Sequence, residues 1–209
     1  MKLIMVSCII MMVVVLGMRG IEKWDAPLSL NRRQQKWILG GILAEAAVIS
    51  CLPGIANAYV CLLLGIFAGC LLLACITDAF LCQVHCFVWW IALPAGVALL
   101  VAKLREMRMA RDIVIVLLGL LLFGFLQYSL FGRTYGRADS HAFFACALVE
   151  TALGAGLEVY FLHMTVAYIL MIIVQIGKKN ITKRGMLKYP VPFLPYINLS
   201  FWLVIVVLA

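Results

Sequence analysis

Residues 57–76 read NAYVCLLLGIFAGCLLLACI, a run of twenty residues without a charged side chain. A run of this length is enough to cross the hydrocarbon core of a bilayer as one α-helix. The rest of the chain has the same character, since 66% of its 209 residues are hydrophobic and only 12% are charged, about half the charged share of soluble domains. The mean hydropathy is +1.12. The sequence therefore excludes a water-soluble globule and predicts an all-α, polytopic helical membrane protein.

Apolar runs recur along the whole chain. We predict about eight short transmembrane helices, at 2–18, 37–52, 57–76, 86–102, 113–131, 141–153, 157–177 and 191–209. The stretch 141–177 is too long for one ordinary span, and Gly154 with Gly156 supplies a turn that divides it. We therefore expect a single integral membrane domain, in which residues 1–56 form two spans and a basic loop.

The positive charges gather on one side of the predicted bundle. The chain has 17 Lys and Arg against 9 Asp and Glu, a formal net charge of +8. The stretch 19–36, with the breakers Pro27 and Asn31, is predicted to be a polar cytoplasmic loop, because cations are enriched on that side. Alternation adds three segments to that side, and the four together hold 12 of the 17 cations: 19–36, 77–85, 132–140 and 178–190. The loop 103–112 is the exception, since it places four cations on the opposite side. We expect a multi-pass protein of the cytoplasmic (inner) membrane that contacts the lipid bilayer and no nucleic acid.

Five carboxylates lie within or beside the predicted helices, where an unpaired charge is costly and usually serves a function. They are Glu45, Asp78, Asp139, Glu150 and Glu158. Asp78 is predicted at the end of the third span and Asp139 just before the sixth, so the two spans between them return both to one membrane face. Two nearby carboxylates cannot both ionise cheaply, and one then holds a proton beside its ionised partner. Such a pair can hydrolyse a peptide, because one member activates water and the other binds the carbonyl oxygen.

Simpler roles are open for each of these carboxylates. Asp78 can end its helix, and Asp139 can cap the next helix by accepting hydrogen bonds from free backbone N–H groups. Glu45, Glu150 and Glu158 can form interhelical hydrogen bonds or lie at the membrane interface. Spacing alone leaves both the simpler and the catalytic interpretation open.

Three segments, in order, resemble the prepilin peptidases, the membrane aspartic peptidases that process type IV pilin precursors. Residues 136–144, GRADSHAFF, look like the family's Gly-x-Gly-Asp-x-Lys segment. Asp78, preceded by Thr77 and followed six residues later by Val84, resembles its first catalytic motif. Residues 189–195, YPVPFLP, are similar to the Ile-Pro-Phe-Gly-Pro stretch that opens its last span.

The resemblance covers about residues 57–209 and implies an activity. It implies an integral membrane endopeptidase with Asp78 and Asp139 as the dyad, water as the nucleophile and no metal or cofactor. The residues that it implies around the dyad are Thr77, His85, Gly136, Ala138, His141, Pro192 and Pro195. The implied substrates are pilin-like precursors with a short basic leader ahead of a hydrophobic helix, cut on the cytoplasmic side just after a glycine. Glu22 and Asp25 are candidates for contacting that leader. Because the chain has no Cys-x-x-Cys, it is similar to the short forms of the family, and we expect no methyltransferase activity.

The chain departs from the family pattern at three places. Ala138 replaces the second glycine of its motif, which is acceptable where the backbone does not need a positive φ. His141 stands where Lys is usual, and it can act as a cation near Asp139 only when protonated. His85 and Cys86 replace Pro-Asn or Pro-Asp and leave the turn of the first motif less restricted. A diverged, inactive member is therefore the alternative within the family.

Other functions compete with proteolysis. Cys82, His85 and Cys86, with Asp78, are chemically adequate for zinc, although the spacing fits no common zinc module. A thiol nucleophile is also conceivable, but neither cysteine has an obvious orienting partner. A small ion- or proton-coupled transporter would use the glutamates at membrane depth. In a purely structural subunit, neither aspartate would matter.

Overall fold

The computed structural model describes residues 1–24, 30–53, 55, 57–133, 136–182 and 191–208. Within these ranges the chain forms eight α-helices and one short 3-10 helix, and no strand. The helices are α1 (Lys2–Trp24), α2 (Arg32–Cys51), α3 (Ala58–Leu81), α4 (Cys86–Glu106), α5 (Ala110–Ser129), α6 (Arg137–Ala152), α7 (Leu157–Thr182) and α8 (Leu194–Leu208), and the 3-10 helix is Phe131–Arg133. The predicted all-α class is confirmed for the described part of the chain.

Five of these described helices are long and apolar enough to cross a membrane. These spans are Lys2–Lys23, Ala58–Leu81, Cys86–Glu106, Ala110–Ser129 and Leu157–Gly177. Of the other three helices, α2 begins with polar residues, and α6 and α8 have only 16 and 15 residues. The protein is therefore a helical, multi-pass membrane protein.

α3 occupies the centre of the bundle. In its most apolar stretch 83% of the residues are buried inside the protein, against 22% to 39% in the other four spans. It packs against α1, α2, α4 and α8, and the ring of its Phe67 lies 5.6 Å from that of Phe201 on α8. By contrast, Leu121 and Phe125 of α5 are largely exposed and face outward. The apolar run 57–76 therefore forms the core of the bundle rather than a lipid-facing helix.

α1 and α3 run parallel and in close contact. A Cβ atom at Gly69 would lie 2.7 Å from Cβ of Val13, and one at Gly65 would lie 3.0 Å from Cγ2 of Ile9. Residue numbers therefore rise together along the two helices. Small residues allow membrane helices to approach through their backbones. Glycine is thus required where α3 meets α1.

Contacts between helix ends show that consecutive helices alternate in direction. The rings of Trp89, near the start of α4, and His141, near the start of α6, lie 6.1 Å apart, so these two helices begin at the same end. The N–H of Leu194, at the start of α8, donates to Asp78 near the end of α3. At the opposite end, Lys2 of α1 donates to the carbonyl oxygen of Ser50, close to the end of α2, over 3.2 Å. α1, α3, α5 and α7 therefore end where α2, α4, α6 and α8 begin. We call this end of the bundle the Asp78 end.

The prediction of a polar loop over 19–36 is wrong for most of its length. α1 continues to Trp24 and α2 begins at Arg32, because Arg, Lys, Glu and Gln are good helix formers although they are polar. Asn31 caps α2: its side chain accepts a hydrogen bond from the N–H of Gln34, and the Gln34 side chain accepts one from the N–H of Asn31. Hydropathy therefore marked the apolar part of these helices and not their ends.

Other helices also extend beyond the predicted spans. α3, α4 and α7 each pass their predicted ends, and α6 begins at Arg137 rather than at 141. Asp139 therefore lies inside the first turn of α6, and its predicted position just before the sixth helix is wrong. The predicted breaker Pro27 and residues 183–190 of the last predicted loop lie outside the described residues.

The predicted division of 141–177 into two helices is confirmed. Gly154, in the turn, has a φ of +96°, a conformation that glycine adopts without strain. Across the turn, the hydroxyl groups of Thr151 on α6 and Tyr160 on α7 are hydrogen-bonded. The turn thus makes α6 and α7 antiparallel neighbours.

Candidate active site

Asp78 lies in the last turn of α3 and is held by the start of α8. The N–H of Leu194 donates to Asp78 Oδ2 over 3.0 Å, and the N–H of Phe193 also donates to this carboxylate. These donors are available because the first N–H groups of a helix have no partner within it. The Asp78 side chain therefore joins two helices, while α3 itself ends at Leu81 and is followed by Cys82, which has a φ of 52°.

Pro192 and Pro195 flank the two residues whose N–H groups bind Asp78. Pro195 is the second residue of α8, where a missing N–H breaks no helical hydrogen bond. Pro192 precedes the helix, and its ring fixes the backbone φ there. The two earlier residues of this motif, Tyr189 and Pro190, lie outside the described residues.

The first turn of α8 is also held by other helices. Phe193 is buried, and its ring lies 5.0 Å from that of Tyr168 on α7 and 6.0 Å from that of Phe143 on α6. On the side of α3, the Sγ of Cys75 donates to the carbonyl oxygen of Leu194 over 3.3 Å. The N–H groups that bind Asp78 therefore have a fixed position.

Asp139 lies in the first turn of α6, at the Asp78 end and outside the five apolar spans. Its Oδ2 accepts a hydrogen bond from the N–H of Gly136, the residue before α6, over 3.2 Å. Burial raises the pKa of Asp139 to about 7, and the negative charge of Asp78 contributes to this rise, while the hydrogen bond from Gly136 opposes it. The two carboxylates are therefore close enough to interact, and Asp139 keeps a proton at a pH where an ordinary aspartate is ionised.

Thr77 and Ala138 are neighbours of the two aspartates in sequence. Thr77 is fully buried, and its hydroxyl donates to the carbonyl oxygens of Leu73 and Ala74 in its own helix, over 3.1 and 3.0 Å. Ala138 is helical and does not have a positive φ, so alanine fits where the family motif has glycine.

His141 faces α4 and α5. Its Nδ1 lies 2.7 Å from the hydroxyl oxygen of Tyr128, and its ring lies 6.1 Å from that of Trp89. Among the described contacts, none joins His141 to Asp139. The expectation that His141 acts as a cation near Asp139 therefore has no support from the geometry.

Cys82, His85 and Cys86 lie at the turn between α3 and α4. Both cysteines are exposed, and His85 with Cys86 lines an apolar cavity of about 380 Å³, together with Trp90 and the end of α1. Among the described residues, no group of three or more His, Cys, Asp and Glu side chains is arranged to hold a metal ion. The zinc interpretation of this turn thus gains no support.

Two of the three glutamates face partners on neighbouring helices. Glu45 of α2 accepts a hydrogen bond from Asn198 of α8 over 2.7 Å. Glu150 of α6 lies 2.7 Å from Nδ1 of His163 on α7. Both glutamates are buried, whereas Glu158 is exposed at the opposite end of the bundle. Glu45 and Glu150 therefore form interhelical contacts, as the simpler interpretation expects.

Sequence reasoning missed the partners of these carboxylates. His163 is buried and also bonds to α8, with its Nε2 lying 2.9 Å from the carbonyl oxygen of Ile197. Asn198 follows directly, in a largely apolar helix. Polar side chains at membrane depth are rare and usually have a partner, and this rarity was the signal that could have identified both residues.

Comparison of the chain with protein-family models, curated proteins and solved structures finds no match. The resemblance to the prepilin peptidases therefore depends on the residues quoted above. The function has to be argued from the geometry around Asp78 and Asp139.

Proposed function

We propose that this protein is a membrane aspartic endopeptidase with Asp78 and Asp139 as its catalytic dyad. The observation that carries the proposal is that Asp78, bound by the N–H of Leu194, and Asp139, bound by the N–H of Gly136, both lie at the Asp78 end of the bundle. Burial and the charge of Asp78 raise the pKa of Asp139 there to about 7. A protonated and an ionised carboxyl at one site provide the acid and the base that peptide hydrolysis needs.

In the proposed reaction Asp78 is the base. The N–H groups of Phe193 and Leu194 bind its carboxylate, and charge-assisted hydrogen bonds of this kind suit an ionised group. Asp78 takes a proton from water as the water oxygen attacks the peptide carbonyl. Asp139 donates a hydrogen bond to the carbonyl oxygen, on which negative charge develops. When the C–N bond breaks, the proton on Asp78 passes to the leaving amine.

The proposed arrangement in the membrane has eight crossings, with the Asp78 end facing the cytoplasm. α2, α6 and α8 would complete the bundle as short spans whose buried polar side chains bond to neighbouring helices. The four segments that the sequence predicts on this side carry 12 of the 17 cationic residues, and cations favour the cytoplasmic side. This supports a location in the cytoplasmic (inner) membrane.

The proposed substrates are pilin-like precursors with a basic leader ahead of a hydrophobic helix. This substrate class is implied by the resemblance at residues 136–144 and around Pro192 and Pro195. A substrate helix in the bilayer would bring the bond before it to the membrane surface, the level at which Asp78 and Asp139 lie. Glu22, exposed near the end of α1, is a candidate for contacting the leader, whereas Asp25 lies outside the described residues. The reaction as proposed needs no metal or cofactor.

Co-expression with a pilin-like precursor tests the proposal. The protein is expected to shorten the precursor on a gel, and Asp78→Asn and Asp139→Asn are each expected to abolish the shortening, because an amide cannot exchange the proton. Glu158→Gln is the matched control, since it removes an exposed carboxyl at the opposite end of the bundle. Cleavage that survives either aspartate substitution contradicts the dyad. A parent protein that folds but cleaves no such precursor favours the inactive alternative.

Proton transport is the second candidate function, and the buried pair of Glu150 and His163 is the observation that favours it. The two side chains are 0% and 1% exposed, and ionisable residues at this depth often carry protons. The test is proton flux into vesicles that contain the purified protein. Flux that is lost in Glu150→Gln but unchanged in Asp139→Asn would favour the transporter over the peptidase.

A further inference from the structure

Glu45 and Asn198 form an incomplete hydrogen-bonded pair between α2 and α8. The Nδ2 of Asn198 donates to Glu45 Oε1 over 2.7 Å. The second oxygen of each side chain, Glu45 Oε2 and Asn198 Oδ1, is buried and has no hydrogen-bond partner among the described residues. Glu45 is 4% exposed, and no described cation lies within ion-pair distance of it. Two buried oxygen atoms thus lack a hydrogen-bond donor, and they belong to two side chains that already contact each other.

A proton on Glu45 resolves this arrangement. A carboxylic acid has one O–H donor beside its carbonyl oxygen, and a primary amide has N–H donors beside its own oxygen. The two planar groups can therefore meet edge to edge through two hydrogen bonds. Without the proton, the same site would bury a carboxylate that lacks a cation, which costs several kcal/mol. The indole N–H of Trp202, one turn further along α8, lies near the same carboxyl.

We propose that Glu45 carries a proton and donates it from Oε2 to Asn198 Oδ1, so that an acid–amide pair with two hydrogen bonds joins α2 to α8. The pair then fixes the first turns of α8. Asn198 lies one turn after Leu194, whose N–H binds Asp78. Glu45 and Asn198 therefore act as positioning residues for Asp78. This positioning role rests on the proposed function, whereas the acid–amide pair does not.

The protonation of Glu45 is tested without reference to any activity. Glu45→Gln replaces the acid with an amide, and two amides can form the same pair of hydrogen bonds. The infrared difference spectrum of the full-length protein minus Glu45→Gln is expected to contain the C=O band of a protonated carboxyl. A carboxylate band in that difference spectrum would overturn the proposal.

The second measurement is the midpoint of unfolding in sodium dodecyl sulfate. Glu45→Gln is expected to leave the midpoint unchanged, whereas Glu45→Leu lowers it, because the Asn198 amide then has no partner. The double variant Glu45→Leu with Asn198→Leu is the matched control and is expected to recover part of the loss, since it removes both polar members of the pair. A midpoint that falls as far in Glu45→Gln as in Glu45→Leu contradicts the pair.

Cleavage of a precursor tests the positioning role. Asn198→Leu is expected to lower kcat about 10- to 100-fold with little change in KM, because a small displacement of groups around a catalytic residue costs this much. Glu45→Gln is expected to retain the parent kcat. An unchanged kcat in Asn198→Leu overturns the positioning role and leaves the infrared result standing. A parent protein that does not cleave at all overturns the proposed function, whereas the acid–amide pair is judged by the infrared band.

Discussion

Two acidic regions of this protein differ in the partner that each carboxyl faces. At the Asp78 end, two half-buried carboxyls interact with each other and with backbone N–H groups. Deeper in the bundle, Glu150 faces a base, His163, and both side chains are buried. One region therefore pairs an acid with an acid, and the other pairs an acid with a base.

The difference in partner predicts a difference in role. Glu150 and His163 are both buried in contact with each other, and an uncompensated charge on either side chain would be costly in the core. Two acids near water can hold different numbers of protons at lower cost, which is what hydrolysis requires. We therefore expect chemistry at the Asp78 end and a purely structural role for Glu150 and His163, which join α6, α7 and α8.

Removing one carboxyl from each acidic region has the largest expected effects, on the cleavage rate in one case and on stability in the other. Asp139→Asn is expected to lower the cleavage rate by about 10²- to 10⁴-fold, the usual contribution of a general acid or base. Glu150→Leu removes the carboxyl that contacts Nδ1 of His163 and is expected to lower the free energy of unfolding by about 3–5 kcal/mol. Cleavage rate and detergent unfolding are measured on the same preparations of both variants.

The loss of cleavage and the loss of stability are expected in different variants. Asp139→Asn should unfold at or above the midpoint of the parent protein, because it removes a buried carboxyl that is unfavourable when ionised. Glu150→Leu, where it remains folded, should cleave at close to the parent rate. If Glu150→Leu stops cleavage in folded protein, or if Asp139→Asn unfolds the protein, the assignment of roles is wrong.

The second prediction concerns the N–H groups that bind Asp78. Leu194→Pro removes the N–H that donates over 3.0 Å, and proline is tolerated at the first position of a helix. Leu194→Ala is the matched control, because it loses the same buried side chain but keeps the N–H. Cleavage is expected to fall about tenfold further in Leu194→Pro than in Leu194→Ala, which corresponds to the loss of one charge-assisted hydrogen bond. Equal rates in the two variants would mean that this N–H does not contribute.

The end of the bundle at which each aspartate lies was predictable from the sequence, because it depends only on the number of helices between them. The number of spans between Asp78 and Asp139 determines that they lie at the same end of the bundle, and this holds although the predicted helix ends were wrong. Gly154 likewise identified the turn between α6 and α7. The helix ends themselves were not predictable from hydropathy, since Arg32 and Gln34 continue a helix without being apolar.

Contacts between distant helices were not predictable. The hydrogen bonds of Asp78 with Leu194 and of Glu45 with Asn198 join residues more than 100 positions apart. They depend on the rotation of each helix about its axis, which a nearly uniform apolar sequence does not specify. For the same reason, nothing in the sequence indicated that His141 turns toward Tyr128 rather than toward Asp139.

The pH dependence of cleavage also distinguishes the two acidic regions. The pKa of Asp139 is raised to about 7, first by burial and then by the charge of Asp78. Above this value the pair loses the proton that binds the carbonyl oxygen, so kcat/KM is expected to fall about tenfold per pH unit above pH 7. The folded state also holds this proton more tightly than the unfolded chain does. Stability is therefore expected to decline as the pH rises to about 7 and to level off above it.

Rates measured from pH 6 to 9 on protein of constant circular dichroism would test this prediction. Activity that rises through pH 7 would instead require an ionised Asp139. In Glu150→Leu the same alkaline fall should persist, because Glu150 and His163 have no part in the proposed proton transfer.

The smallest expected effect comes from the hydrogen bond between Tyr128 and His141. Tyr128→Phe removes the hydroxyl that lies 2.7 Å from Nδ1 of His141. Because the Tyr128 side chain is exposed, the free energy of unfolding should fall by no more than about 1 kcal/mol. Cleavage should keep both its rate and its pH profile, since His141 contacts α4 and α5 and not Asp139. A displaced pH profile in Tyr128→Phe would mean that the imidazole does act on Asp139, and the proton held at the Asp78 end would then depend on three groups rather than two.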